Sequence, residues 1–485
     1  MAPADLPRRA AVVGGGITGL ATAWYLRNGT SSTGGRSTDG RPDVTLLEEC
    51  GRLGGKIRTE DLGGVPVEAG PDTFLARVPR ATELCHELGL GDDLVPPAAA
   101  KAYVWHAGRL HPLPTGTVLG VPVTAQTLAS SLLSPAGAAR AFLDLVLPRR
   151  PLPTDPSVAE VVGGRLGREV LERLVEPLVG GINAGRADRL SLASTAPRLA
   201  EAAVDRSLVL GLRRRQATDP AAQSAPVFLG VRGGMQRLVD RLTTSLDGVD
   251  VRTGAAVQEL SAAEGGGWRL DGGTGPAVTA DAVVITVPPS AAAPLLSAAP
   301  GAAAELRRIR HASVVVATLA YRPDAVPLRL DGSGFLVPRS EGRLLTACTW
   351  STSKWPALDA SGLVILRAST GRDGDERALG LDDATVVETV HGELGEMVGV
   401  TERPVTSRVD RWLRAFPQYE PGHDERVRRI ETALASTLPG VLVAGSAYRG
   451  LGIAACVQQG YDAARRVLGF LGGGNMGRNA QLPRQ

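Results

Sequence analysis

Aromatic side chains are scarce in this chain, with Phe, Trp and Tyr together making up 4% of 485 residues. Cysteine is scarcer still. Cys50, Cys85, Cys348 and Cys456 are scattered, with no C-x-x-C pair and no histidine spacing suited to zinc, so a metal centre is not expected. Four reduced, mostly buried thiols in a cytoplasmic protein is the reading that follows. The net charge is only +3, and no Lys/Arg run is dense enough for a nucleic-acid partner. No stretch reaches the ~18 apolar residues of a membrane span. The amino end has no secretory pattern, because the apolar run after Arg8-Arg9 stops at a glycine cluster. The tail 472–485, "GGGNMGRNAQLPRQ" from Gly472, is expected to be disordered.

Glycine, by contrast, is abundant, at 60 residues, so a glycine motif needs context before it carries weight. "AAVVGGGITGLATAWYL" has that context. Ala10–Val13 is an apolar run fit for a buried parallel strand, and Leu20, Ala21, Trp24, Tyr25 and Leu26 continue with helical spacing. Between them lie Gly14, Gly15, Gly16, Ile17, Thr18 and Gly19. In such a strand–turn–helix unit the first glycine makes the turn, the second admits a pyrophosphate, and the third lets helix and strand pack closely. The helix start adds free N–H groups and about half a positive charge. The next strand, "DVTLLE", ends at Glu48, a ribose ligand with Glu49 as its neighbour. Glu rather than Arg there disfavours a ribose 2′-phosphate. The usual spacing is about 20 residues, and the excess here is a Gly/Ser-rich insertion over 28–42, read as a solvated loop.

Further along, Lys56 stands within reach of a phosphate, and Gly70, Pro71, Asp72 and Thr73 form a tight turn. From Val118 to Leu212 apolar residues recur at three- and four-residue intervals, which predicts an inserted helical domain. Short strands return near Val227, and "GVLVAGSAYRGLGIAACVQQGYDAARRVLGFL" repeats the opening order of strand, glycine turn and helix. One nucleotide domain built from both chain ends is the expectation.

With these stretches assembled, the chain resembles the FAD-dependent protoporphyrinogen/coproporphyrinogen oxidases within the flavin amine oxidase superfamily, and most of all the soluble coproporphyrinogen III oxidases of Gram-positive bacteria. "VVGGGITGL", "LLEECGRLGGKIRT" and "GGMQRLVDRL" carry the wider likeness. "EAGPDTFLARVPRATELCHELGL", "LVEPLVGGINAGRADRLSLASTAP", "LTACTWSTSKWP" and "GLGIAACVQQG" carry the narrower one. The resemblance implies an α/β fold in three parts. A Rossmann-like FAD-binding domain would take residues 1–76, 225–297 and 428–471, and a mixed-sheet substrate-binding domain 77–100 and 298–427, with the helical domain at 101–224. It implies non-covalent FAD, held by the residues above together with Val257, Trp412, Ser446, Leu451, Gly452 and Ile453. Val257 is read on an edge strand beside the adenine. Cys456 lies inside a helical stretch and is read as a packing residue rather than a flavin link.

The same resemblance implies a porphyrinogen substrate, losing six hydrogens in three rounds with O2 as acceptor and hydrogen peroxide as product. It also implies transfer of the porphyrin to a ferrochelatase. No Ser/His/Asp group or carboxylate pair is found, as expected where the flavin carries the chemistry, so no catalytic side chain is assigned. His106, His111 and His423 are read as structural. Ile182, Asn183 and Gly185 are expected to line the substrate cleft, with Arg77 meeting a propionate. The polar helical domain favours coproporphyrinogen III, cytoplasmic, with at most peripheral membrane contact. Protoporphyrinogen IX oxidation is the alternative, followed by another amine oxidase or desaturase activity, or a porphyrin-binding flavoprotein without turnover.

Overall fold

A computed structural model describes residues 8–30, 41–148, 151–217, 226–272 and 275–473. Most of the insertion at 28–42 and of the tail 472–485 lies outside them. The run Ala10–Val13 is buried on both sides, which is why it is apolar throughout rather than alternating. Ala10 and Val12 face one core with Leu20, Leu46 and Val284. Ala11 and Val13 face a second with Leu47, Val283 and Ile285. The strand Arg9–Val13 is the centre of a five-stranded parallel sheet ordered Val249–Thr253, Asp43–Glu48, Arg9–Val13, Ala282–Ile285, Val441–Val443. Both ends of the described chain thus enter one sheet.

Helices Ile17–Asn28, Gln236–Thr244 and Ile453–Leu471 cover the first face. A three-stranded antiparallel sheet and the helices Pro289–Leu295, Pro300–Arg307 and His423–Thr437 cover the second. The domain limits expected from sequence differ here. Helix Pro79–Glu87, expected in the substrate domain, turns Ala81, Leu84 and Cys85 into the nucleotide core. Helix Pro300–Arg307 likewise packs on His423–Thr437. An apolar helix face shows that burial is needed but does not name the surface that provides it.

The second module is a seven-stranded mixed sheet ordered Thr406–Pro417, His311–Tyr321, Val364–Thr370, Leu345–Trp350, Gly334–Leu336, Tyr103–His106, Arg109–Pro112. Helix Asp383–Val398 covers its outer face through Val386, Val390 and Leu394, each one turn after the last. Asp382 caps that helix, its carboxylate accepting from Thr385 N at 2.8 Å. The third module is helical and closes around Val161, Leu174, Leu199 and Leu208. Ser157 and Glu160 start its helix Val158–Leu166 with a reciprocal capping box. A π-helical turn, Leu171–Val175, precedes helix Glu176–Asn183, the element that faces the other two modules across a cleft.

Candidate active site

The cleft has a volume of about 3210 Å³, several times that of an ordinary ligand pocket, which is roughly 300–1,000 Å³. Its nucleotide side begins at the glycine turn. Gly14 has φ +105°, a conformation that side-chain-bearing residues rarely adopt. A Cβ at Gly19 would stand 1.8 Å from the Gly14 carbonyl, so only glycine lets the helix approach this closely. A Cβ at Gly16 would meet nothing within 4 Å, since that face opens on the cleft.

Helix Ile17–Asn28 has Gly16 as its N-cap and no side-chain cap. The closing helix Ile453–Leu471 has Gly452 as its N-cap and no side-chain cap either. Both starts line the same cleft, so the free first-turn N–H groups of two long helices serve one space. These residues fit a dinucleotide's phosphates. Glu48 ends its strand beside them and accepts from Gly15 N at 2.5 Å and from Cys50 N at 2.9 Å. Each carboxylate oxygen keeps lone-pair capacity for a hydroxyl donor.

The turn Gly70–Thr73 is held from three sides. Trp412 Nε1 donates to Ala69 O at 2.8 Å, and an Arg367 guanidinium nitrogen donates to Gly70 O at 2.5 Å. Lys354 Nζ donates to Asp72 Oδ2 at 2.6 Å, with Trp355 Nε1 at 3.3 Å. Burial opposes the charge of Asp72, but Lys354 and Arg367 outweigh it and hold the carboxyl below its usual range. Lys56 reaches the Ala415 carbonyl and lies 3.5 Å from Ser446 Oγ, and burial pushes its ammonium pKa down. Tyr419 braces the loop after Val441–Val443: its hydroxyl donates to Ser446 O at 2.5 Å and accepts from Gly450 N at 3.0 Å.

Of the expected cofactor residues, Gly14, Gly16, Ile17, Thr18, Glu48, Glu49, Lys56, Gly70, Pro71, Asp72, Thr73, Trp412, Ser446, Leu451, Gly452 and Ile453 line the cleft. Gly15 faces Leu53 and Glu48, and Gly19 faces Gly14, so both shape the turn from behind. Val257 is not among the residues lining the cleft, although Ala255 N, two residues before it, donates to Glu48 O at 2.8 Å. Val257 sits in an irregular segment before strand Glu259–Ala262, packed on the second core, rather than on an edge strand.

Arg77, Ile182, Asn183 and Gly185 also line the cleft. Ile182 is 48% exposed there, whereas Asn183 is buried, with its amide turned back to Val179 O at 2.8 Å. Sequence reasoning missed Glu176, His311, Arg339, Lys354, Arg367 and Arg372. Arg367 had a signal, a charge inside the apolar strand "VILRAST"; the other arginines were hidden by the abundance of Arg. His311 lines the cleft, and burial lowers its pKa to about 4, so it is neutral at physiological pH. His106, His111 and His423 contact Glu341, Ser131 and Tyr448 O respectively, all structural settings. The described residues contain no His/Cys/Asp/Glu group suited to a metal.

The model of the family described as flavin containing amine oxidoreductase matches residues 17–468. A coproporphyrinogen III oxidase of Bacillus subtilis (strain 168) is 35% identical over 473 residues, spanning 96% of this chain and 99% of that one. One from Mycobacterium tuberculosis (strain ATCC 25618 / H37Rv) is 37% identical over 464 residues, spanning 95% and 98%. A solved structure from Exiguobacterium sp. 255-15, named a putative protoporphyrinogen oxidase, superimposes with a TM-score of 0.83 at 30% identity, over 95% of this chain and 98% of that one.

Proposed function

The chain belongs to the flavin containing amine oxidoreductases, and from that membership we propose that it oxidises coproporphyrinogen III to coproporphyrin III. It is an FAD-dependent oxidoreductase. Six hydrogens leave the macrocycle in three rounds, each round passing two electrons to dioxygen and yielding one hydrogen peroxide. When bound, FAD supplies the two-electron acceptor that no side chain can be. The observation that carries the reading is one cleft joining a dinucleotide cradle to a compartment walled by Val314, Val316 and Ile182 and edged by arginines.

The chain's own residues then have four tasks. The two uncapped helix starts hold the diphosphate, and Glu48, with Glu49 beside it, accepts from ribose hydroxyls. Gly70 to Thr73, fixed by Arg367, Lys354 and Trp412, position the reactive ring, together with Ser446 and Leu451 to Ile453. Val314 and Val316, apolar residues of the cleft wall, would keep water from the reacting face. Ile182, Asn183, Gly185 and Arg77 meet the macrocycle and its carboxylates. No residue need act as nucleophile. Burial raises the pKa of the Cys456 thiol and keeps it protonated, which favours non-covalent FAD.

No helix among the described residues is long and apolar enough to cross a membrane. The proposed setting is the cytoplasm, with at most peripheral membrane contact, a reading that rests on the likeness to the bacterial coproporphyrinogen III oxidases. The porphyrin would pass to a ferrochelatase. A second reading, protoporphyrinogen IX oxidation, is favoured by the name of the Exiguobacterium structure. Anaerobic titration with coproporphyrinogen III tests the proposal by bleaching of the flavin absorbance, and air should restore the colour with release of peroxide. Absence of bleaching with this substrate, but bleaching with protoporphyrinogen IX, would transfer the assignment to the second reading.

A further inference from the structure

Strand Val364–Thr370 runs along the cleft wall from the cofactor turn toward the helical module. Arg367 and Ser369 alternate onto the cleft face, and Arg367 marks the cofactor end through its bond to Gly70 O. Past Thr370 the chain turns at Gly371, φ +84°, where a Cβ would stand 2.9 Å from Ser313 O. The next residue is Arg372, at most about 17 Å along the backbone from Arg367 at ~3.3 Å per residue. Arg339 approaches from the turn after strand Gly334–Leu336, and Glu176 opens the facing helix. All three side chains belong to residues of the cleft wall.

Their charges do not balance. Arg339 donates to the Asp373 carbonyl at 2.8 Å, which neutralises nothing. The Asp373 carboxylate serves Arg310 at 2.6 Å and Arg189 at 3.5 Å. Asp375 is gripped by Arg377, with two contacts at 2.8 Å. Asp375 faces Arg372 as well as Arg377, and Glu176 is the other carboxylate near Arg339 and Arg372, joined to neither by any of the described ion pairs. The Nε atoms of Arg339 and Arg372 are both buried without a hydrogen-bond partner. Three guanidinium groups, those of Arg339, Arg372 and Arg377, against the two acids Glu176 and Asp375 leave one positive charge in a partly desolvated wall.

We propose that Arg339 and Arg372 form a carboxylate site for the substrate, with Glu176 as its built-in counter-charge, so that one propionate of the macrocycle completes neutrality. This rests on the reading of a carboxylated porphyrinogen as substrate. Burial, and then Arg339, push the Arg372 pKa down, and burial pushes Glu176 up; an incoming anion relieves the repulsion between the two arginines. A planar guanidinium takes a carboxylate through paired N–H donors, which fixes orientation as well as position. Anchored there, the macrocycle would lie along the wall that carries Val314, Val316 and Arg367.

The test is a titration of FAD-loaded enzyme with coproporphyrin III, followed by porphyrin fluorescence, for wild type, Arg339→Gln, Arg372→Gln and Glu176→Gln. Each arginine variant should bind roughly tenfold or more weakly, as expected for loss of a charged hydrogen-bond partner. Their KM for coproporphyrinogen III should rise while FAD content stays that of wild type. Glu176→Gln should bind severalfold tighter, because it removes the competing carboxylate, and a gain of affinity cannot come from misfolding. Wild-type affinity in both arginine variants, or weaker binding by Glu176→Gln, would overturn the site while turnover of coproporphyrinogen by the wild type kept the substrate reading intact. A wild type that neither binds coproporphyrin III nor oxidises its porphyrinogen would overturn both together.

Discussion

Glu48 holds the fold locally and is, in the proposed function, a ligand of the cofactor as well. It fixes the glycine turn through Gly15 N and its own strand end through Cys50 N, and still presents acceptor capacity to the cleft. Glu48→Ala should weaken FAD by about 1–3 kcal/mol, the range for a charged hydrogen-bonded group, or roughly ten- to a hundredfold in Kd. Equilibrium dialysis with flavin fluorescence reads this directly, and wild-type retention would move the ribose site elsewhere. Glu68 makes a different prediction. It accepts from Met235 N at 2.6 Å and from Thr59 Oγ1 at 3.1 Å, and burial raises its pKa to about 7. In the unfolded chain the same group titrates near 4.5, so between about 4.5 and 7 the folded state binds more proton than the unfolded one. Its contribution is therefore fully present below the lower value and lost as pH rises through the upper. Tm should fall across that window in the wild type and change less in Glu68→Gln. Identical pH profiles would show that other groups set the dependence.

At the scale of elements, the two ends of the glycine turn can be separated by experiment. Gly19→Ala drives a methyl into the Gly14 carbonyl and should lower stability by about 1–3 kcal/mol or more, losing FAD as well. Gly16→Ala meets only open space, so the apo protein should keep its Tm while FAD is displaced by the methyl in the cleft. Loss of apo stability in both variants would mean that Gly16 supports the fold rather than the cofactor. The strand Arg9–Val13 and helix Ile17–Asn28 were legible in sequence because their signals are local: an apolar run, a glycine turn, a helical period. The destination of helix Pro79–Glu87 was not, since Ala81, Leu84 and Cys85 mark a buried face without saying which core receives it. Arg339, Arg372 and Glu176 were hidden for a related reason. Their shared charge is a property of three distant segments brought to one wall, and nothing in any one segment records it.

At the scale of the whole molecule, the prediction concerns selectivity. A cleft with cationic groups placed for several propionates should prefer coproporphyrinogen III over protoporphyrinogen IX by roughly ten- to a hundredfold in kcat/KM, without detergent, since an unpaired polar group costs ~1–3 kcal/mol. Arg77→Ala should shrink that ratio and leave FAD in place; equal losses on both substrates would assign Arg77 to a contact common to both. The parallel sheet has a consequence of another kind. Its strands come from residues 9–13, 43–48, 249–253, 282–285 and 441–443, and the second helix start on the cleft is at Ile453. During synthesis at about 5–20 residues per second, the first strand and glycine turn emerge tens of seconds before the segments that complete them. The helical module around Val161 and Leu199 draws its contacts from a much narrower stretch and can close in that interval. The nascent chain must therefore keep the apolar strand Ala10–Val13 from pairing elsewhere until the last strand leaves the ribosome, and flavin capture becomes a late event in the life of the chain.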